Sequence, residues 1–252
     1  MKKISALLLT AIVALAFSAG AMAQDRILKV VKGGEVVFTA RAADIESITL
    51  ETEYVDLGLP SGLKWATCNL DAKSPEEIGG YYGWGCTTPF KEGDAPGWST
   101  YFQLIGGTGT KMEDCGTEAD PLADYVNNSL SIAGTEWDAA HAKLGGTWRI
   151  PTPTEIDELI ENTTSEWTTV NGVNGRLFTS KQNGKTIFIP ASDYCSGGPK
   201  DLMYHSGYCW GSISVFYYDV PSRAHSLNFE DDELLSDSMY RLYGLPIRPV
   251  SE

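Results

Sequence analysis

Strand-like alternation of apolar and polar positions dominates the chain, and helical spacing surfaces in only a few places. At 27–38, Ile27, Leu28, Val30 and Val31 precede Lys32-Gly33-Gly34-Glu35, and Val36, Val37 and Phe38 follow. Two apolar runs around glycines that reach positive φ without a Cβ clash predict a hairpin. A third apolar run, "ADIESITL", follows a short turn at Asp44. Next, "YVDLGLPSGLKWATCNL" alternates on both sides of Leu59-Pro60-Ser61-Gly62, which predicts two short strands joined by a Pro-Gly turn.

Helical signals fall in three segments. In "DAKSPEEIGG", Ser74 takes the N-cap, Pro75 the first helical position and Gly79-Gly80 the stop. "TEWDAAHAKLGG" predicts a short helix capped by Thr135 and ended by Gly145-Gly146. In "PTPTEIDELIEN", Thr152 and Glu155 have capping-box spacing and Pro153 stands first in the helix. Ile156, Leu159 and Ile160 then share one face, with Asp157, Glu158 and Glu161 turned to water. Between these segments, Cys86 to Leu122 shows neither period and predicts a long irregular loop, a kind of segment that is commonly functional or mobile. After Asn162 come strands punctuated by Asn-Gly at 171–172, 174–175 and 183–184, each a hairpin signal. "GYCWGSISV", "AHSLNFEDDELLS" and "RLYGLPIRPV" add further strands. A few helices among many antiparallel strands predict the α+β class.

Composition narrows the setting. The first 23 residues carry Lys2 and Lys3, an apolar run, and Ala21-Met22-Ala23 as a small-x-small cleavage site, the layout of a secretory signal peptide. Export to the periplasm, the cell surface or the extracellular space is expected, with residues 24–53 forming a small β unit and 54–252 the main domain. No later apolar run reaches membrane-spanning length, so no span is expected in the mature chain. The formal charge of −14 argues against nucleic acid as a partner. It leaves glycans, proteins and cations. Five cysteines stand at 68, 86, 115, 195 and 209 without zinc spacing. Cys195 and Cys209, close in sequence on two segments read as neighbouring strands, are the candidate disulfide in an oxidising compartment.

Five ordered blocks carry a family resemblance: "WATCNLDAKSPEEIGGYYGWG", "GGTWRIPTPTEIDELIEN", "NGRLFTSKQNGKTIFIPASDY", "GYCWGS" and "GLPIRPV". Together they resemble the Fibrobacter succinogenes major paralogous domain, over about Tyr54 to Glu252. The N-terminal unit resembles a hairpin element common on secreted Bacteroidetes proteins. The resemblance implies a C-type-lectin-like fold of the variant shared with formylglycine-generating enzyme. Two short helices would flank a small twisted antiparallel sheet, with long loops carrying ligand sites. It implies no settled activity. Two departures stand out: "CWGS" at Cys209–Ser212 in place of Tyr-Trp-Ser-Ser, and Asp193-Tyr194-Cys195 where the family has Gly-Tyr after "PA".

Candidate chemistry is sparse. The Glu-Pro-Asn, Gln-Pro-Asp and Trp-Asn-Asp motifs of lectin calcium sites do not occur. Glu230, Asp231, Asp232 and Glu233 are the candidate cation ligands, since clustered carboxylates suit a hard ion such as Ca2+. Trp84, Trp98, Tyr101 and Phe102 are the candidate exposed aromatics for stacking on a sugar or anchoring a protein. His141, His205 and His225 lie in no hydrolase or zincin context. The reading is a non-catalytic binding module for a glycan or protein, with its contact surface on the Cys86–Leu122 loop and the acidic hairpin. A structural subunit of a surface or pilus-like assembly is the first alternative. A formylglycine-generating-type oxidase is the second.

Overall fold

The computed structural model describes residues 27–32, 35–41, 53–91, 96–196 and 205–252. The segment expected to be a signal peptide and the "ADIESITL" run lie outside them. The chain divides between Glu53 and Tyr54 into two compact units.

In the first unit, β1 (Ile27–Lys32) pairs antiparallel with β2 (Glu35–Arg41), with a register shift between Val30 and Val31. The expected hairpin is there.

The second unit mixes helix with small antiparallel sheets, the α+β class. Strand β4 (Lys64–Ala66) lies between β3 (Tyr54–Asp56) and β11 (Val250–Ser251), so the last strand of this unit closes a sheet begun by its first two. β5 (Thr163–Val170), β6 (Val173–Ser180) and β7 (Thr186–Pro190) form a meander. β8 (Gly207–Tyr217), β9 (Val220–Phe229) and β10 (Leu234–Tyr240) form the third sheet, with β9 central. Turn chemistry explains the meander. Val170 pairs with Val173 across Asn171-Gly172, which hold φ of 49° and 86°, the twist a two-residue hairpin requires. The Asn174-Gly175 pair makes no turn and lies inside β6. A Cβ on Gly175 would stand 2.4 Å from the Ile189 carbonyl oxygen, so glycine serves close strand approach there.

Among the described residues four short α-helices follow the sequence signals unevenly: α1 (Trp98–Leu104), α2 (Ala123–Asn127), α3 (Ala139–Leu144) and α4 (Pro153–Asn162). The capping box of α4 is complete, with Thr152 Oγ1 accepting from Glu155 N–H and the Glu155 carboxylate from Thr152 N–H. Ile156 and Leu159 are buried as its spacing predicts. Glu158 is more than a solvated acid, for it accepts from the N–H and hydroxyl of Ser61 at 2.8 and 2.6 Å and fixes the Pro-Gly turn. Helix α3 starts later than expected. Its cap is Asp138, which accepts from Ala140 and His141 and reaches the N–H groups of Gly134 and Ile150. Ser74 caps no helix. The Ser74–Glu77 segment is a single turn, since Gly79-Gly80 must fold back onto Leu70 at once. The Cys86–Leu122 stretch is not an irregular loop throughout, because it contains α1 and a 3-10 turn at Met112–Asp114.

Two buried clusters form the interior. The first gathers Tyr82, Trp84, Tyr101, Phe102, Leu122 and Trp210, among others. The second gathers Leu57, Trp65, Ile156, Leu159, Phe178 and Phe229. The β8–β9–β10 sheet serves both. Trp210 and Ala224 belong to the first cluster, while the cross-strand partners Cys209 and Leu227 belong to the second. A strand buried on both faces is held in one register, because a one-residue slip would exchange the two sets.

Two buried arginines lock the ends of this frame. Arg248 donates to Asn69 Oδ1 and to the carbonyls of Ala66, Thr67 and Phe188, joining β4, β7 and the C-terminal segment. Arg241 pairs with Asp120 at 2.8 Å, both side chains fully buried, and its guanidinium lies over the Trp84 and Tyr101 rings. Arg149 binds Glu155 through two bonds of 2.8 and 2.7 Å and so ties the segment before α4 to its first turn. Trp148, beside it, is half-buried, and Ile150 takes the core position.

Candidate functional site

The aromatics expected to be exposed are mostly interior. Trp84 is 1% exposed, and Tyr101 and Phe102 are 0% exposed. Trp84 Nε1 donates to the Gly211 carbonyl and the Tyr101 hydroxyl to the Trp84 carbonyl, so even their polar atoms face inward. Of the four, Trp98 alone is half-buried, packed against Tyr101, Phe102 and Tyr240.

The acidic turn Glu230, Asp231, Asp232 and Glu233 is exposed between β9 and β10. Its main-chain carbonyls at Glu230 and Glu233 each accept from Arg176 Nη1 at 2.7 Å. The cation that this turn encloses is therefore the protein's own guanidinium. Among the described residues no group of three or more His, Cys, Asp or Glu is placed to hold a metal ion. Cys195 and Cys209 form no disulfide. None of the five cysteines is in a disulfide, and burial pushes the thiols of Cys86, Cys115 and Cys209 up to about 12. Thiols held protonated in this way are poor nucleophiles and metal ligands.

A different set of rings reaches the surface. Tyr218, at the β8–β9 turn, is 81% exposed and meets Tyr217 edge to face at 4.4 Å between centroids. Tyr217 meets Tyr240 at 5.8 Å, and Tyr240 meets Tyr243 at 5.6 Å. Tyr243 stacks on Tyr194 at 4.9 Å, and Tyr194 meets Tyr208 at 5.5 Å. Trp98 joins at Tyr240, 6.5 Å away. The result is a continuous ribbon of tyrosines. Its inner members Trp98, Tyr208, Tyr240 and Tyr243 pack on the first cluster. Burial raises the phenol pKa of Tyr208 and Tyr243, and hydrogen bonding to Tyr218 raises that of Tyr217, so these rings present neutral hydroxyls.

Two features mark the Tyr218 end. Tyr218 and Asp219 hold φ of 48° and 61°, the left-handed region that bulky side chains rarely occupy. The protein makes the same two-residue turn with Asn-Gly at 171–172, so the Tyr-Asp pair is a departure from its own better turn chemistry. Strain of this kind persists where something other than stability maintains it. The second feature is Arg223. It lies opposite Tyr240 in the ladder, and its guanidinium carbon sits 4.4 Å from the Tyr217 centroid and 4.7 Å from that of Tyr240.

The sequence reading missed this ribbon because its members are scattered over fifty residues. The visible signal was local: Phe216-Tyr217-Tyr218 ends one strand, and Tyr240 and Tyr243 bracket Arg241. No protein-family model, curated protein or solved structure matches the chain.

Proposed function

We propose that this protein is a non-catalytic binding module, exported to the periplasm, cell surface or extracellular space, whose ligand docks on the ribbon from Tyr218 to Tyr194. The observation that carries the reading is a ring 81% exposed on a strained turn, next to a tyrosine pair against which a guanidinium lies. Aromatic side chains and arginine supply most of the energy at binding surfaces, because they offer large apolar area with polar edges. The ribbon also rests on a packed core, which limits the ordering cost of binding. Membership in the Fibrobacter succinogenes major paralogous domain family, and with it a C-type-lectin-like fold, belongs to the same proposal. It rests on the five sequence blocks. Among the described residues no helix is long and apolar enough to cross a membrane. The oxidase alternative asks for a pair of reactive cysteines, and the full burial of Cys209 with its thiol pushed up to about 12 argues against it.

The test is a glycan array and a pull-down of envelope proteins, run with the native chain and with Tyr218→Ala. Captured ligand should fall about tenfold or more in the variant, in line with a buried aromatic anchor. Capture that is unchanged by Tyr218→Ala and by Tyr243→Ala would place the binding surface elsewhere.

A structural role keeps one supporting observation. The β1–β2 hairpin exposes Ile27 and Val36, and a two-stranded hairpin is marginal in isolation. Deleting residues 24–41 and measuring self-association or assembly tests it, and an unchanged result would remove this reading.

A further inference from the structure

The second unit holds five arginines, and four of them have their donors engaged. Arg149 binds Glu155, Arg176 binds Ser165 and two carbonyls, Arg241 binds Asp120, Tyr101 and Pro221, and Arg248 binds four acceptors. Arg223 differs. Among the described residues no acceptor or carboxylate meets its guanidinium, which is fixed by the faces of Tyr217 and Tyr240 alone. Its Nε is buried without a partner, and it is the one guanidinium nitrogen of Arg223 that is buried in this way. Nε is closed off from outside, so the two Nη groups, which are not buried in this way and have no acceptor among the described residues, are the donors left to meet a ligand. The two rings also hold the planar fork in place before any ligand arrives, which removes much of the ordering cost.

We propose that Arg223 is the carboxylate receptor of the ribbon and that its ligand is a uronic-acid-containing glycan. The inference rests on the reading of the ribbon as the binding surface. A guanidinium fork matches a planar oxoanion through two parallel N–H···O bonds. Tyr218, the most exposed ring of the ribbon, meets Tyr217, the same ring that the guanidinium faces. A uronic acid carries its carboxylate and an apolar C–H face on one rigid ring, which suits one fork beside one exposed aromatic. An Asp or Glu side chain brings a carboxylate on a flexible stem without that face. The chain's charge of −14 repels polyanions more strongly the more charges each sugar carries. Recognition therefore relies on short-range bonds plus stacking, and favours carboxylated sugars over heavily sulfated ones.

The experiment titrates the full chain with oligogalacturonate, with oligoalginate and with the same oligosaccharides after reduction of their carboxyls to alcohols. Native uronates should bind, and carboxyl reduction should weaken binding about tenfold to a hundredfold, the range for a charge-assisted pair. Arg223→Lys keeps the charge and loses the fork, so it should weaken the native ligand several-fold and leave the reduced ligand unaffected. Arg223→Met should abolish the difference between the two ligands, with the unfolding midpoint measured alongside to confirm folding. Equal binding of native and reduced ligands overturns the proposal, as does no uronate binding at all. Tighter binding of oligoglutamate than of any uronate would also overturn it, by assigning the fork to an acidic peptide. If Arg223→Met is inert while Tyr218→Ala still lowers capture from the array, only the carboxylate assignment falls. If both variants are inert toward every captured ligand, the ribbon reading itself falls.

Discussion

Asp120→Ala should be among the most damaging single substitutions in this protein. Asp120 and Arg241 are both fully buried, and the carboxylate accepts from Arg241 at 2.8 and 3.3 Å. It also accepts from the N–H groups of Gly116 and Leu122 at 3.0 and 2.9 Å, so it organises its own turn as well as the ion pair. Truncation leaves a guanidinium walled in by Trp84 and Tyr101, with only Tyr101 Oη and the Pro221 carbonyl as acceptors. Removing one partner of a buried pair costs about 3–5 kcal/mol, because the remaining charge is uncompensated. For a domain of this size that corresponds to a fall in melting temperature of about 6–20 °C. The double variant Asp120→Ala with Arg241→Met removes both charges and should recover part of the loss, the remainder being the space left by the carboxylate and the Gly116 and Leu122 N–H groups left without it. Urea titrations followed by tryptophan fluorescence on the wild type, both single variants and the double variant close the cycle. A single-variant loss under about 1 kcal/mol, or a double variant no better than the worse single, would mean that water reaches Arg241 and the burial argument fails.

Other outcomes follow from the same geometry. Burial holds the His225 imidazole below its ordinary 6.5, against the pull of Asp157 and Asp237, so the folded state prefers the neutral ring. Its contribution to stability is present above the ordinary pKa and is lost as pH falls below it; denaturation midpoints from about pH 8 to about pH 5 should decline in the wild type and decline less in His225→Gln. A Cβ on Gly79, at φ 78°, would lie 2.2 Å from the Leu70 carbonyl oxygen, whereas nothing lies within 4 Å of one on Gly184 at φ 72°. Gly79→Ala should therefore cost well over the roughly 1–2 kcal/mol of left-handed strain expected for Gly184→Ala, and equal losses in thermal melts would contradict the steric argument. Replacing Tyr218-Asp219 by Asn-Gly should raise stability by about 1 kcal/mol, strain relief outweighing one lost edge-to-face contact, while ligand capture drops. A melting temperature lowered by that exchange would show that Tyr218 is held for packing.

The legible parts of this chain were those in which a local rule decides. Thr152, Pro153 and Glu155 fix the start of α4 with three side chains in one turn, and Asn171-Gly172 fixes a hairpin by backbone preference alone. Rules of the same kind misled where tertiary demands were stronger. Ser74-Pro75 is a good helix start, yet Gly80 N–H bonds to the Leu70 carbonyl and the chain turns back after one turn. Thr135 is an acceptable cap, but Asp138 reaches four N–H groups, which no spacing rule reveals. Exposure was the least legible property. Trp84 and Tyr101 stand in a Gly-rich segment that reads as surface, and they are interior because Arg241, 140 residues beyond Tyr101, supplies a cation for their faces. The ribbon was hidden for the same reason, since the β8–β9–β10 sheet brings Tyr208, Tyr217 and Tyr240 together from positions with no shared period.

The buried pair and the surface receptor are parts of one construction. Tyr240 and Arg241 are adjacent, and the strand end sends the first side chain to the ribbon and the second to the core. Arg241 N–H donates to the Ser222 carbonyl at 2.9 Å, and Tyr240 pairs with Arg223, so the inner cation and the outer one share a single stretch of ladder. Asp120 thus fixes Arg241, Arg241 fixes the β9–β10 end, and that end sets the spacing of the two rings around Arg223. It follows that Asp120→Ala should weaken ligand binding even at temperatures where the variant is fully folded. The double variant lacks Arg241 as well, so its affinity should stay low even where its stability improves. Affinity measured at about 10 °C, well below the melting transition, separates this coupling from simple loss of folded protein. A folded Asp120→Ala variant with undiminished affinity would show that the tyrosines position Arg223 without support from the core beneath them.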